Sequence, residues 1–368
     1  MPRTIVGLGD AKAVKRWSGQ LAVDVAKKSY FNKKFMGVGV DSSMPIQVLE
    51  QLESDAGDNI DFDLSLQLRM APIEGDSKLR GNEEDLKFYS DNLFVDQARS
   101  GVNTGGKMTR KRTLHDLRAV AKKRQSEWWA RCFDEIFFMY LSGARGINAE
   151  FIFPTGYTGR ANNSFTAPDA SHTMYGGVAT SKATLATTDI MSLSTVDRLK
   201  TRATMMGGGT TGIPQIQPVM VDGEEHYVLV MSPYQSYSLR TNASAGQWLD
   251  IQKAATTAEG SKNPIFKGGL GMYNNVVLHE HKNVIRFNDY GAGVNVAAAR
   301  ALFLGEQAAV IAFGSPGTGM RFDWNEETED RGNEVVISTS SIFGVKKTTF
   351  NGLDYGVISV DTAAADPG

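Results

Sequence analysis

Cysteine is almost absent from this chain of 368 residues. The single thiol, Cys132, excludes an internal disulfide framework and a thiolate metal cluster, and reads as a small buried apolar residue. Histidine is scarce, with five copies, so a metal centre has few nitrogen ligands to draw on. No apolar run approaches the ~18–20 residues of a membrane helix. The first 34 residues are basic and amphipathic and lack the apolar centre of a signal peptide, so we expect intracellular synthesis. Net charge is also nearly missing, at −2, which argues against a uniformly basic polyanion binder. What is present, 41% hydrophobic residues, is enough for one large domain or two ordinary ones with a true core.

The small net charge hides a strong unevenness. Residues 1–34 hold eight basic side chains, among them Lys12, Lys15 and Arg16, against Asp10 and Asp24. Residues 107–131 hold nine, among them Lys122, Lys123 and Arg124, against Asp116 and Glu127. Two basic elements on a faintly acidic protein suit either a nearby polyanion or acidic faces of neighbouring copies; the plainer alternative is ordinary solvated helix faces.

Periodicity gives an order of elements. The spacing of Val14, Trp17, Leu21, Val25, Tyr30 and Phe31 predicts an arm helix over about 10–35, whose apolar stripe is expected to bury on another subunit because its flanks read as loop. A short helix is predicted over 46–52. From Ile60 to Met70 apolar and polar residues alternate without error, which predicts a strand with one wet face. A return strand follows near 86–99, and the charged stretch between is too long for a tight turn, so the hairpin projects. After glycines at 101–106 comes a long helix from Thr113 to about Leu141, with Thr113 and Asp116 spaced as a capping box and Gly143 placed to end it.

Further on, residues 151–189 read as loops and short strands, 194–206 as a helix capped by Ser194, Thr195 or Asp197, and 226–231 as a buried strand. Ser232-Pro233 opens another helix. Residues 274–285 read as one or two strands, and the alanine-rich 296–309 as a closely packing helix. Strands over 335–341, 342–350 and 353–360, with turns at Gly344 and Asn351-Gly352, close the chain as a small antiparallel sheet. Without a βαβ rhythm, the fold class is α+β.

Catalytic patterns are weak. The glycine-rich 206–212 lacks the lysine and hydroxyl pair of a phosphate loop and follows a helix, so it reads as a connection. His279 and His281 share one side of a strand and would need a third ligand such as His226 to hold a metal; surface or interface placement is the simpler reading. His115 and His172 have no partner visible in sequence. Asp323, Glu326, Glu327, Glu329 and Asp330 read as a solvated loop, not a calcium site. No cofactor, metal or catalytic residue is expected, and the chain is read as a non-enzyme.

The order of basic arm, projecting hairpin, long helix, mixed domain and terminal strands resembles the major capsid proteins of tailed bacteriophages with the HK97-like fold, in particular the branch typified by N4-like phages. Residues carrying the likeness are the stretch 101–109 leading into the long helix, the strand-rich 268–280, and 296–309 running into a strand. The resemblance implies an N-terminal arm at 1–55 and an E-loop hairpin at 56–108. It implies a peripheral domain at 109–189 with a spine helix at 113–141, an axial domain at 190–320, and closing peripheral strands at 321–368.

It further implies an icosahedral shell of pentamers and hexamers around double-stranded DNA, found in the virion and synthesised in the host bacterial cytoplasm. Portal, scaffolding and cement or decoration proteins are the implied further partners, and no membrane. Phe62, Leu64, Leu66, Phe88 and Phe94 would bury on an adjacent subunit, with Glu74, Asp76, Lys78, Arg80, Glu83 and Glu84 making salt-sensitive contacts. Lys12, Lys15, Arg16, Lys122, Lys123 and Arg124 would face inward toward DNA. Many relatives carry a cleaved N-terminal scaffolding segment; here the arm begins almost at Met1, which leaves prior removal or a separate scaffolding protein. The alternatives are a dispersed nucleic-acid-binding protein and, residually, a metal enzyme built on His279 and His281.

Overall fold

The computed structural model describes residues 11–39, 42–51, 57–65, 68, 70–86, 88–160, 162–207, 213–221, 223–243, 248, 251, 264–314 and 321–368. Helices α1 (Ala11–Lys28) and α2 (Tyr30–Lys34) lead to strands β1 (Met36–Val38) and β2 (Ile46–Leu49). Strands β3 (Asn59–Ser65) and β4 (Phe88–Phe94) form the hairpin, and β5 (Asp96–Asn103) continues it into helices α3 (Lys107–Arg112) and α4 (Leu117–Ser142). The short β6 (Gly159–Arg160), β7 (Asn163–Ser164) and β8 (Thr173–Tyr175) precede α5 (Leu193–Met205), β9 (Val219–Val221), β10 (Glu224–Met231) and α6 (Pro233–Asn242). The remainder is β-rich: β11 (Gly271–Tyr273), β12 (Val276–Glu280), β13 (Arg286–Tyr290), β14 (Val296–Leu304), β15 (Ala309–Gly314), β16 (Asp323–Glu329), β17 (Glu334–Lys347), β18 (Thr349–Phe350), β19 (Leu353–Asp354) and β20 (Val357–Ala363).

Two sheets organise these strands. In the first, β1, β2, β15, β17 and β16 lie in that order, with β5 paired along β17. In the second, β11, β12, β10, β14, β20 and β8 lie in order, with β13 on β14 and β9 on β10. The mixed α+β class holds.

Helix α4 is the centre of the molecule. Its first half is mixed, with Arg118, Ala119, Val120, Lys123 and Arg124 exposed and Ala121, Gln125, Ser126 and Trp129 buried, but every residue from Cys132 to Ser142 is buried, the signature of a helix wrapped on all sides. Trp129 shows how it attaches to the first sheet: the ring packs edge-on to Phe322 and Phe343, while Nε1 donates to Thr339 Oγ1 at 2.8 Å. The helix starts later than expected. Asp116 is the cap, accepting from the amides of Arg118 and Ala119, and Thr113 lies outside in the link from α3. Gly143 ends the helix in the left-handed conformation, as expected, and a side chain there would collide with the Thr166 carbonyl.

The described side chains of the arm pack on their own subunit, contrary to the expectation of burial on a neighbour. Leu21, Val25, Phe31 and Phe35 are buried in the main core with α4. At the break between α1 and α2, Ser29 Oγ donates to Asp134 Oδ1 at 2.7 Å, and the amides of Tyr30 and Phe31 donate to the same carboxylate. Burial pushes Asp134 up to about 6 against these hydrogen bonds. The side chains of Val14 and Trp17 lie outside the described residues.

Other expectations fail for tertiary reasons. Residues 46–49 are a strand, because β15 supplies a parallel partner from Ile46↔Ala309 to Leu49↔Ala312. The predicted helix over 296–309 is strand β14 plus the start of β15. Strand β14 lies between β10 and β20, with Leu302 and Leu304 in one core and Ala301 and Phe303 in the other. A strand buried on both faces reads as an unbroken apolar run, and here that outweighs the helix preference of alanine.

Strand β17 runs straight through Gly344 without turning. A Cβ there would collide with the Phe94 carbonyl, so glycine marks a close crossing of strands. The Asn351-Gly352 turn does form, but the closing strands divide between sheets, β16 and β17 in the first and β20 in the second. The acidic run 323–329 is strand β16, held by β17 from Asp323↔Ser340 to Glu329↔Glu334, instead of a loop. The N-cap position of helix α5 is Ser192, two residues before the earliest position expected, and its side chain makes no cap hydrogen bond.

Replacing Asp134 with alanine strands three donors and is expected to cost roughly 2–4 kcal/mol. Hydrogen exchange should then rise in α1 and α2 while β14 and β15 stay protected; uniform loss would mean that Asp134 holds more than the arm.

Candidate inter-subunit surfaces

Polar alternation along β3 continues into tertiary structure. Ile60 is buried, Phe62 and Leu64 are half-buried, and Asp61 and Asp63 are exposed. The register Ile60↔Leu93, Phe62↔Asp91, Leu64↔Tyr89, Ser65↔Phe88 fixes which residues share a face. Phe88 and Phe94 therefore stand with Asp61 and Asp63, on the opposite face to Phe62 and Leu64, which corrects the grouping of all four rings and chains on one apolar side.

The base of the hairpin is held by its own chain. Ile60, Leu93 and Val95 join Leu49, Val310 and Ala312 in a small core, and the Phe62 ring meets Phe350 edge-on at 6.0 Å. Lys346 Nζ donates to Asp91 Oδ1 at 2.5 Å, Thr349 donates to Asp91 Oδ2, and the buried Asn163 side chain bonds both the amide and the carbonyl of Phe94. Further out this support ends. Leu68, Leu79, Leu86 and Phe88 are all exposed, and Glu74, Lys78 and Arg80 stand in water. Leu66 lies outside the described residues.

The basic run of 107–131 is divided by the link 113–116. Helix α3 buries nothing and is pinned by Arg110 Nη2 and the Lys107 amide on Asn333. On α4, Lys122 donates to Gln20 of α1, Arg124 pairs with Glu127 at 2.7 Å, and Lys123 is exposed. Lys12, Lys15 and Arg16 fall on α1, but their side chains lie outside the described residues.

The histidines form no metal site; among the described residues no group of three suitable ligands converges. His279 and His281 do share one side of β12, yet they are covered by the arm instead of lying at the surface. His281 stacks on Phe138 at 4.9 Å and tilts against Tyr30 at 4.4 Å, and His279 meets Phe35 edge-on at 5.2 Å. His279 Nε2 donates to the Ile265 carbonyl at 2.7 Å. His226 stands edge-on to Phe266. His172 bonds Asp169 at 2.8 Å, a partner sequence reasoning missed although it lies three residues away. Cys132 is buried as expected, and burial pushes its thiol up to about 12, which leaves it unreactive.

Burial holds both His279 and His281 down at about 4, helped by the charge of Lys34, and of Lys282 for His281. A depressed histidine contributes stability above its ordinary pKa of 6.5 and loses it as pH falls toward 4, on the order of 2–3 kcal/mol per ring. Asp134 acts in the opposite sense, since its raised pKa favours the folded state below about 6, but two rings oppose one carboxyl. The melting temperature of the unassembled protein should fall between pH 6.5 and 4, and because Asp134 offsets about one ring, His281→Phe should remove most of that net slope. An unchanged slope would show that His281 is not the source.

Comparison with known proteins places the whole chain. A family model described as phage capsid protein matches residues 5–366. The major capsid protein of Pseudomonas phage KPP25 is 26% identical over 385 residues, covering 95% of this chain and 94% of that one. The capsid of Ralstonia phage GP4 superposes with a TM-score of 0.87 at 54% identity, over 100% of both chains. The capsid of cyanophage Pam1 shares the fold, with a TM-score of 0.68 at 22% identity over 89% of this chain and 91% of that one.

Proposed function

This chain belongs to the phage capsid protein family and is a major capsid protein with the HK97-like fold, forming the capsid shell of a virion; from that premise we propose how its surfaces build the shell. The family is structural, not enzymatic. Self-association is its task, and the dispersed nucleic-acid-binding alternative finds no support.

The observation that carries the assembly reading is the segment joining β3 to β4: among its described residues Leu68, Met70, Leu79 and Leu86, together with Phe88 at the start of β4, leave their apolar side chains in water. An isolated hairpin is marginal by itself, and exposed apolar patches mark contacts still to be made. Leu64 on one face and Phe88 on the other would bury against an adjacent subunit, as would Leu66 of the same segment, and Glu74, Lys78 and Arg80 would set its position. Phe62 supports the base on Phe350 and contributes less across subunits. Pentamers and hexamers repeating such modest contacts under closed symmetry give a stable shell.

We propose the following division of the chain. The arm is 1–55, the hairpin about 56–108, and the peripheral domain comprises 109–189 with α4 and the first sheet. The axial domain is 190–320 and the closing peripheral strands are 321–368, with the last of them, β20, reaching the axial sheet by pairing along β14 from Ala298↔Ala363 to Leu304↔Val357. Lys12, Lys15, Arg16, Lys122, Lys123 and Arg124 would face packaged double-stranded DNA, bound through phosphate charge without reading sequence. Portal, scaffolding and decoration proteins are the other partners we propose, with synthesis in the host cytoplasm.

Electron microscopy of the purified chain is expected to show closed shells or rings of five and six; a uniform small particle across salt and crowding conditions would overturn the assembly reading. Reversing Lys122, Lys123 and Arg124 to glutamate is expected to spare folding and shell formation while lowering DNA content per head. Normal full heads from that variant would place these side chains elsewhere.

A further inference from the structure

We propose that the acidic tip of the hairpin in one copy docks on helix α3 and the following link in a second copy, a contact that rests on the capsid reading and names the surface receiving the hairpin. The described tip, residues 70–86, carries five carboxylates, Glu74, Asp76, Glu83, Glu84 and Asp85, against two cations, Lys78 and Arg80. Helix α3 carries Lys107, Arg110, Lys111 and Arg112 and no acid. These are two surfaces of opposite sign in one chain.

Their side chains are uncommitted. Glu74, Asp76 and Asp85 on the tip, and Lys107, Lys111 and Arg112 on α3, have no side-chain hydrogen bond or ion pair among the described residues. Both surfaces are nevertheless shaped. The tip is tied by Glu84 accepting from the Met70 amide at 2.7 Å and Glu83 from the Gly81 amide at 2.6 Å. Helix α3 is fixed by Arg110 and the Lys107 amide on Asn333. Pre-shaped partners lose less entropy on meeting.

Charge alone would also suit DNA at α3. The neighbouring apolar side chains decide for protein: Leu114 in the link is fully exposed, Met108 on α3 is 61% exposed, and Leu79 and Leu86 on the tip are 62% and 63% exposed. Phosphates gain nothing from a leucine, whereas two such patches gain by covering each other. The contact must come from another copy. Strands β4 and β5 separate the tip from α3 by roughly 50 Å of extended chain; β5 is paired along β17, and the base of β4 is fixed to β17 by Lys346 on Asp91. The α3 end of β5 pairs with Val336 and its hairpin end with Phe343, so the two patches leave β17 in opposite directions; such patches make a head-to-tail contact, which closes into rings or shells when the rotation permits.

Three variants test this in shells assembled without DNA: E74K/D76K/D85K, K107E/K111E/R112E, and all six together. Each triple variant is expected to raise the protein concentration needed for assembly by about tenfold or more, since small ionic terms repeat at every copy. The combined variant is expected to recover most of that loss. No recovery overturns the pairing, as does an α3 variant that assembles normally and only packages less DNA. Carbodiimide coupling of wild-type shells, which needs no variant to fold, is expected to join a tip carboxylate to Lys107 or Lys111; its absence from intact shells also overturns the proposal. Failure of the wild type to form shells is a separate result, because it sinks the capsid reading itself.

Discussion

The structure depends on burying the second half of α4 from every side. A helix enclosed on all sides needs several layers around it, and this chain supplies them from distant segments: the arm, the first sheet, and the loop carrying Phe151 and Phe165. Burial also brings two carboxylates inside. Asp134 is met by Ser29 and by the amides that open α2, and Glu135 by the Ile152 amide at 2.7 Å. Each acid thereby draws one segment onto the helix, because a buried carboxylate without donors is too costly to keep. The arm is an inner layer of the fold first and an extension second.

Once α4 is enclosed, the first sheet has little choice. Strand β17 is long enough to hold β15 and β16 along one edge and β5 along the other, and Trp129 and Phe133 press on its inner face. Strand β4 crosses it at Gly344, where any side chain would block the approach. The hairpin base is therefore rigidly carried, while its tip is left without a covering layer. A rigid stem with an exposed end suits the inter-subunit contact proposed for the hairpin.

The electrostatics separate in the same way. A single basic run in sequence becomes two surfaces, because Asp116 caps α4 and the link 113–116 breaks the helix. Among the described residues the cations on α3 have no acidic partners, while Lys122 and Arg124 are engaged with α1 and Glu127. The histidines, which invite a metal reading in sequence, serve as ring-shaped packing elements between the arm and β12. Their polar atoms are held inside only while neutral.

The sequence by itself determined the features that local periodicity encodes. The alternation from Ile60 to Leu64, the charged interval too long for a turn, the left-handed stop at Gly143, the proline-led start of α6 and the burial of Cys132 all follow from residues close together in the chain. So did the resemblance in element order that pointed to a capsid protein. What the tertiary structure decided is everything that needed a distant partner. Residues 46–49 became a strand because β15 lay beside them, and the alanines of β14 became a strand because two cores demanded a thin layer between β10 and β20. The register of β3 and β4 sorted Phe62 from Phe88, and β17 ran on through a glycine because another strand crossed there. Local propensity differs by at most about 1 kcal/mol per residue between helix and strand formers, whereas burying a whole segment is worth several times that, so wherever the two disagreed the distant contacts prevailed.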